Sequence, residues 1–156
     1  PIYAKQLKVT SAMMALLENV LNPNVVQTSD ATPAFVHMGP FANIAHGCSS
    51  LVATKMALNL SEYVVTEAGF GADLGAEKFF NIKCRIGNMC PDVVVLVTTI
   101  KSLKYNGGAS LEDIHLENLE YLKNGIVNLD THVKNLVKFG VPVIVCLNKF
   151  ENNPML

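Results

Sequence analysis

The chain has 156 residues, half of them hydrophobic, with 12 Lys and Arg against 13 Asp and Glu for a net charge of -1. This balance suits one soluble domain with its own core and excludes a disordered or fibrous polymer. With no basic surplus, Lys/Arg cluster or aromatic ladder it also argues against nucleic-acid binding, and the longest apolar runs, Val93 to Val97 and Val141 to Leu147, are far too short to cross a bilayer.

No signal-peptide pattern opens the sequence, which implies a cytoplasmic location or an organellar interior. Its first residue is Pro1 rather than an initiator methionine, which points to processing or a fragment. Cys48, Cys84, Cys90 and Cys146 lack the close pairs that zinc or a redox dithiol needs, so reduced thiols and no metal site are expected.

Thr10 or Ser11 can cap a first helix whose apolar residues Met13, Leu16, Leu17 and Val20 recur at helical spacing until the "NPN" of 22–24. "PAFVHMG" (33–39) predicts a short buried strand, then the loop "GPFANIAHG" and a helix with Ile44, Cys48, Leu51 and Leu58 on one stripe. The order repeats with "YVVTEAG" (63–69) as a strand, a glycine turn and a helix near 75–85. "DVVVLVTTI" (92–100) is a third strand, ending in the loop "KSLKYNGG". Ser110 caps a segment with Leu119, Leu122 and Ile126 on one face. A separate helix from Asp130 carries Val133, Leu136 and Val137 to Gly140, and "VPVIVCLN" is the last strand. Apolar strands alternating with helices predict an α/β fold, a parallel sheet flanked by helices on both faces. In such folds ligands sit beyond the carboxyl ends of the strands, where four polar or glycine-bearing loops would converge. No linker or repeat marks a domain boundary, so residues 1–156 read as one domain.

Two glycine-rich turns are candidate anion or ligand sites. One has Gly39 and Gly47 around Asn43 and His46; the other has Gly69, Gly71 and Gly75 around Phe70 and Asp73. Phe70, a large aromatic between two glycines, is either a ligand platform or a loop anchor. Glycine at 69 and 71 opens backbone angles closed to other residues and permits close approach of a ligand. Glu67, at a strand end, could orient a ligand or pair with Lys78 or Lys83. Asp73 reads as an N-cap. His37 reads as structural, and His115 and His132, the latter in a first helical turn, join no constellation. "LNKFE" (147–151) resembles the Asn-Lys-x-Asp base-selecting element, with Asn148 in place and Glu151 where Asp belongs; no GxxxxGK[ST] phosphate loop occurs in the sequence.

"TPAFVHMGPFANIAHGCSS", "YVVTEAGFGADLGAEKFFNIKCR" and "VTTIKSLKYNGG" resemble the corresponding stretches of formate–tetrahydrofolate ligase. The likeness extends from "LKVTSAMMALLENVLNPNVVQT" nearly to the end and corresponds to the central portion of that family. It implies a P-loop NTPase-like fold, of which this chain holds an incomplete part. It also implies ATP-dependent joining of formate to tetrahydrofolate through formyl phosphate, in one-carbon metabolism. Substrates would be formate, tetrahydrofolate and ATP with Mg, a monovalent cation could assist, and the family is commonly tetrameric. Phe70 corresponds to the aromatic that stacks on the folate ring, flanked by Gly69 and Gly71, with Glu67, Asn43 and His46 along the same pocket and Asn148 toward the nucleotide.

Departures accompany the likeness. Thr98, Lys101 and Ser102 stand where Ala, Arg and Ala are usual, Met38 stands where Gly is common, and "ENNPML" leaves the pattern after Phe150. The family's phosphate loop and the arginine that handles formyl phosphate would precede Pro1, and its pocket tryptophan and second phenylalanine would follow. The isolated chain is therefore expected to be inactive and to associate with itself or with missing segments. The alternative is a short, non-catalytic relative that binds folate or the full enzyme.

Overall fold

Asn24–Gln27 (β1) and Pro33–Val36 (β2) form an antiparallel hairpin in which Val25 faces Phe35 and Val26 faces Ala34. Thr28 closes the reversal: its carbonyl accepts from Ala31 N–H at 3.0 Å and its hydroxyl from Thr32 N–H at 3.1 Å. The structure, a computed structural model, describes residues 1–39 and 48–149 and comprises two compact units, Pro1–Gly69 and Phe70–Leu156.

In the first unit the predicted opening helix forms as Thr10–Leu17 (α1) and tightens into a 3-10 turn, Glu18–Val20, ahead of Pro23. The predicted strand at 33–39 ends at Val36 and is half-exposed rather than buried, because its partner is the neighbouring β1 in a hairpin and not a parallel strand. Leu51–Leu60 (α2) starts at Ser50, whose hydroxyl accepts from Ala53 N–H at 3.0 Å. Its buried face is Ala53, Thr54 and Ala57; of the predicted stripe Cys48, ahead of the helix, is buried and Leu51 half-buried but Leu58 is exposed, and the small side chains let α2 lie close against β2. Ile44 of that stripe lies outside the described residues. "YVVTEAG" has strand-like residues but makes no ladder among the described residues, and Val65 is 97% exposed. β-propensity alone does not form a strand; the backbone groups need an edge to pair with.

His37, buried at the end of β2, holds this unit together. Its Nε2 donates to the Val20 carbonyl at 2.8 Å, so Nδ1 accepts from the Ser50 hydroxyl at 2.6 Å. One imidazole thus joins the end of the α1 segment, β2 and the cap of α2, the structural role that the sequence suggested.

The second unit opens with Gly75–Lys78 (α3), runs through a π-helical stretch, Phe79–Cys84, and ends in Arg85–Gly87 (α4) with Asn88 in the left-handed conformation at φ 50°. The π turn buries Phe79, Phe80, Lys83 and Cys84 on one side. Phe80 stacks on Phe139 with ring centroids 4.3 Å apart, and Phe79 meets Phe80 edge-on at 5.7 Å. The Lys83 ammonium has no hydrogen-bond acceptor among the described residues and lies 5.4 Å from the Phe79 ring centre, a cation–π contact that offsets part of its desolvation.

Val94–Thr99 (β3) and Val143–Asn148 (β4) pair in parallel, with Val94 opposite Val143 and Thr99 opposite Asn148. Ile100–Asn106 (α5) follows β3 without a loop. The reason is a capping box: Thr99 Oγ1 accepts from Ser102 N–H at 2.9 Å, and Ser102 Oγ accepts from Thr99 N–H at 3.0 Å. The "KSLKYNGG" that reads as a loop is therefore mostly helix. Leu119–Val137 (α6) is one continuous helix, not two. Asn118 caps it through Oδ1, which accepts from Glu120 N–H at 2.9 Å and Tyr121 N–H at 3.1 Å, while the Ser110 hydroxyl accepts instead from Asp113 N–H at 3.0 Å, at the start of the small 3-10 turn Asp113–His115. Asp130, expected to begin the second helix, pairs with Lys134 one turn on.

The α5 and α6 backbones nearly touch: a Cβ on Gly107 would lie 1.8 Å from the Tyr121 carbonyl oxygen, and one on Gly125 would lie 1.8 Å from that of Leu103. Together the two helices pack against the strands. On alternate positions Val95, Val97 and Ile144 remain exposed. The described residues form a mixed α/β arrangement with a small parallel sheet; the second helical layer predicted for its other face is not among them. Among the described residues, no helix is long and apolar enough to cross a membrane.

Candidate functional site

The glycine turn at 69–71 departs from the conformation that its sequence suggests. Gly69 takes a left-handed backbone at φ 68°, and Phe70 itself does the same at φ 56°, whereas Gly71 does not. A bulky aromatic in this region costs about 1–2 kcal/mol. At Gly71 a Cβ would fall 2.7 Å from an Asp73 carboxylate oxygen, which the exposed Asp73 side chain can relieve by turning aside. The Gly71 carbonyl accepts from Leu74 N–H at 3.1 Å and Gly75 N–H at 2.8 Å, which starts α3. Asp73 is therefore not the N-cap. That position belongs to Leu74, which offers no side-chain acceptor.

Phe70 is 61% exposed. Glu67 is also exposed, and its carboxylate has no partner among the described residues. Asn148 ends β4 opposite Thr99, at the carboxyl edge of the parallel pair, and is exposed. Asn43 and His46, together with Phe150 and Glu151 of the "LNKFE" element, lie outside the described residues.

A cavity of about 150 Å³ lies in the second unit, between Gly71, the end of β3 and the facing sides of α5 and α6. Leu96 and Leu129 supply apolar wall; Thr98, Ser102, Asn128 and His132 supply polar atoms. The Thr98 and Ser102 hydroxyls lie 3.3 Å apart, and the Ser102 proton goes to the Thr99 carbonyl at 2.8 Å. His132 Nδ1 is buried and has no hydrogen-bond partner among the described residues. Sequence reading set His132 aside as a first-turn residue, but it sits well inside α6. The signal was available: Asn128 and His132 are four residues apart, hence on one face of a continuous helix.

A larger cavity, about 350 Å³, lies in the first unit between β2, α2 and the 61–66 segment. Hydroxyls and apolar groups line it, among them Ser49, whose buried Oγ has no partner, but no charged side chain does. The described residues contain no cluster of three His, Cys, Asp or Glu side chains able to hold a metal and no disulfide; Cys48 and Cys84 are buried, and Cys90 and Cys146 are exposed.

An exposed aromatic on a strained turn and polar groups at the carboxyl edge of a parallel pair are features of a ligand-binding α/β protein, but they do not select one. The whole-chain comparison does. A family model described as formate–tetrahydrofolate ligase matches residues 1–155, continuing past Phe150, where the sequence was expected to leave the family pattern. With essentially its entire length matched, this chain belongs to the formate–tetrahydrofolate ligase family.

Proposed function

We propose that the chain supplies the folate-facing part of an ATP-dependent ligase that joins formate to tetrahydrofolate through formyl phosphate. The observation that carries this reading is Phe70: an aromatic held in a left-handed conformation and left 61% exposed is what a stacking platform requires and what a core residue avoids. Gly69 provides the turn. By the family resemblance, Glu67, Asn43 and His46 are further candidates for contact with the folate substrate, and Asn148, at the carboxyl end of β4, for contact with the nucleotide.

Formate is a poor electrophile because its carboxylate oxygen is a poor leaving group. Phosphorylation by ATP, with Mg, releases ADP and converts formate into formyl phosphate, a mixed anhydride; the folate amine then attacks the formyl carbon, phosphate leaves, and the amine gives up its proton. The charge developing on the transferred oxygens needs backbone donors and cations. The 156 residues contain no GxxxxGK[ST] loop to provide its lysine, so in this reading they form one partial domain of a P-loop NTPase-like fold acting in the cytoplasm. The open sheet face at Val95, Val97 and Ile144 would be covered by further segments or by like subunits in a homo-oligomer, tetrameric in this family. A monovalent cation would assist the complete site.

Rigorously purified chain should show no ATP- and formate-dependent formylation of tetrahydrofolate, followed by the absorbance of the acid-converted product. Measurable turnover would contradict the assignment of the phosphate site to residues outside these 156.

A further inference from the structure

Cys84, Met89 and Cys90 line one open hollow of about 410 Å³, and Phe80, Arg85 and Asn88 complete its wall. None of the residues assigned to the ligase reaction is among them. In the sequence the two cysteines are six positions apart, a spacing that puts two side chains on different faces of a straight helix. The helix does not continue straight. Asn88 takes the left-handed conformation at φ 50°, Met89 N–H donates to the Cys84 carbonyl at 3.1 Å, and Asn88 N–H donates to that of Arg85 at 3.4 Å. These paired bonds are a left-handed helix ending, which turns the residue after the left-handed position back against the last turn. Met89 is thereby returned to Cys84, and Cys90 follows it. Cys84 is buried and Met89 half-buried, whereas Cys90 is exposed, its thiol donating to the Pro91 carbonyl at 3.5 Å. Three sulfur-bearing side chains thus border one space that solvent can enter.

We infer that Cys84, Met89 and Cys90 form a binding site for one Cu(I) ion. The donor set selects the metal: two thiolates and a thioether are soft ligands that suit Cu(I). A structural Zn(II) site takes four ligands from Cys, His, Asp and Glu in a tetrahedral array. No His, Asp or Glu lines this hollow, and Asp92, the nearest acid in sequence, is not part of its wall. Charge is accounted for as well. Binding releases the two thiol protons, so Cu(I) with two thiolates carries one negative charge, which the Arg85 guanidinium in the same wall offsets. The helix ending fixes Cys84 and Met89, and Cys90, exposed beyond it, supplies the adjustable ligand. A bound ion would tie the end of α4 to the segment that leads into β3. The inference does not depend on the proposed function or on Phe70.

The test is an anaerobic titration of the reduced 156-residue chain with Cu(I) supplied as its complex with a chromophoric chelator, which loses its colour as the metal transfers. Transfer of one equivalent per chain is expected, with thermal unfolding of the loaded protein shifted upward, and equimolar Zn(II) should not displace the copper. Loss of an outer partner of a metal site costs about 10–100-fold in affinity, so loss of a ligand should cost at least as much. Cys90→Ser, a change at an exposed position, should therefore weaken binding by about 100-fold or more, and Met89→Leu by about tenfold or more. Cys146→Ser, on β4, should leave the affinity unchanged. No transfer from the chelator, affinity unaffected by Cys90→Ser or by Met89→Leu, or displacement by equimolar Zn(II) would overturn the inference.

Discussion

Gly125→Ala lowers the stability of the second unit by about 2 kcal/mol or more, although alanine is the better helix former. In an unconstrained helix the exchange gains about 1 kcal/mol. Here the new methyl would meet the Leu103 carbonyl oxygen at 1.8 Å and its carbon at 2.6 Å, and both are backbone atoms that no rotamer change can move aside. The helices must separate instead, and overpacking of this kind costs about 3 kcal/mol when a whole element has to shift. Gly107 makes the reciprocal contact with Tyr121, so parting the helices at one glycine loosens the other. Urea denaturation followed by hydrogen exchange in α5 and α6 measures the loss. Asn124→Ala, on the exposed side of the same helix, should stay within about 0.5 kcal/mol. A Gly125→Ala protein as stable as the parent would mean that α5 and α6 do not pack backbone to backbone.

His37→Ala costs the first unit about 3 kcal/mol. The substitution removes hydrogen bonds of 2.6 and 2.8 Å from a residue only 4% exposed. The Val20 carbonyl is left without its donor, worth about 1–3 kcal/mol, and the vacated imidazole volume adds a cavity cost of about 1 kcal/mol or more. Ser50→Ala is the informative comparison. It removes the α2 cap and one His37 bond but leaves Val20 satisfied, and a lost cap is worth about 1 kcal/mol. Thermal unfolding should therefore rank His37→Ala well below Ser50→Ala. The reverse order would mean that the cap, not the imidazole, holds these three segments together.

What the sequence made legible followed the strength of local signals. The opening helix, the helical run after Gly75, the strand read at 92–100 and the final strand all carry clear periodicity, and they form within shorter bounds, Val94–Thr99 and Val143–Asn148 for the strands, the opening helix without the side-chain cap expected from Thr10 or Ser11. The strand at 63–69 has equally suitable residues but does not form, because pairing depends on an edge elsewhere that no local pattern reveals. β1 and α5 were missed for the opposite reason: Thr28 and the Thr99–Ser102 box are short side-chain signals within stretches that look like loops. The split of α6 into two helices overrated Asp130 as a start signal where no glycine or proline interrupts the chain between Ile126 and Val137.

At the site, the Phe70 turn stood out because a large aromatic between glycines is unusual. Its strain fell one residue away from expectation, on Phe70 rather than Gly71, since backbone angles depend on neighbours such as Asp73 that the flanking sequence does not place. The cavity at His132 was invisible until α6 proved continuous, because only then do Asn128 and His132 share a face with Thr98 across from them.

The most direct test of the account is calorimetric titration of the chain with tetrahydrofolate, comparing the parent with Phe70→Ala. Stacking on an exposed ring predicts saturable binding that the substitution weakens by about 1–2 kcal/mol, with the thermal unfolding of the protein unchanged. Equal affinity in the two proteins, or no binding to the parent, would contradict the assignment of Phe70 as the folate platform.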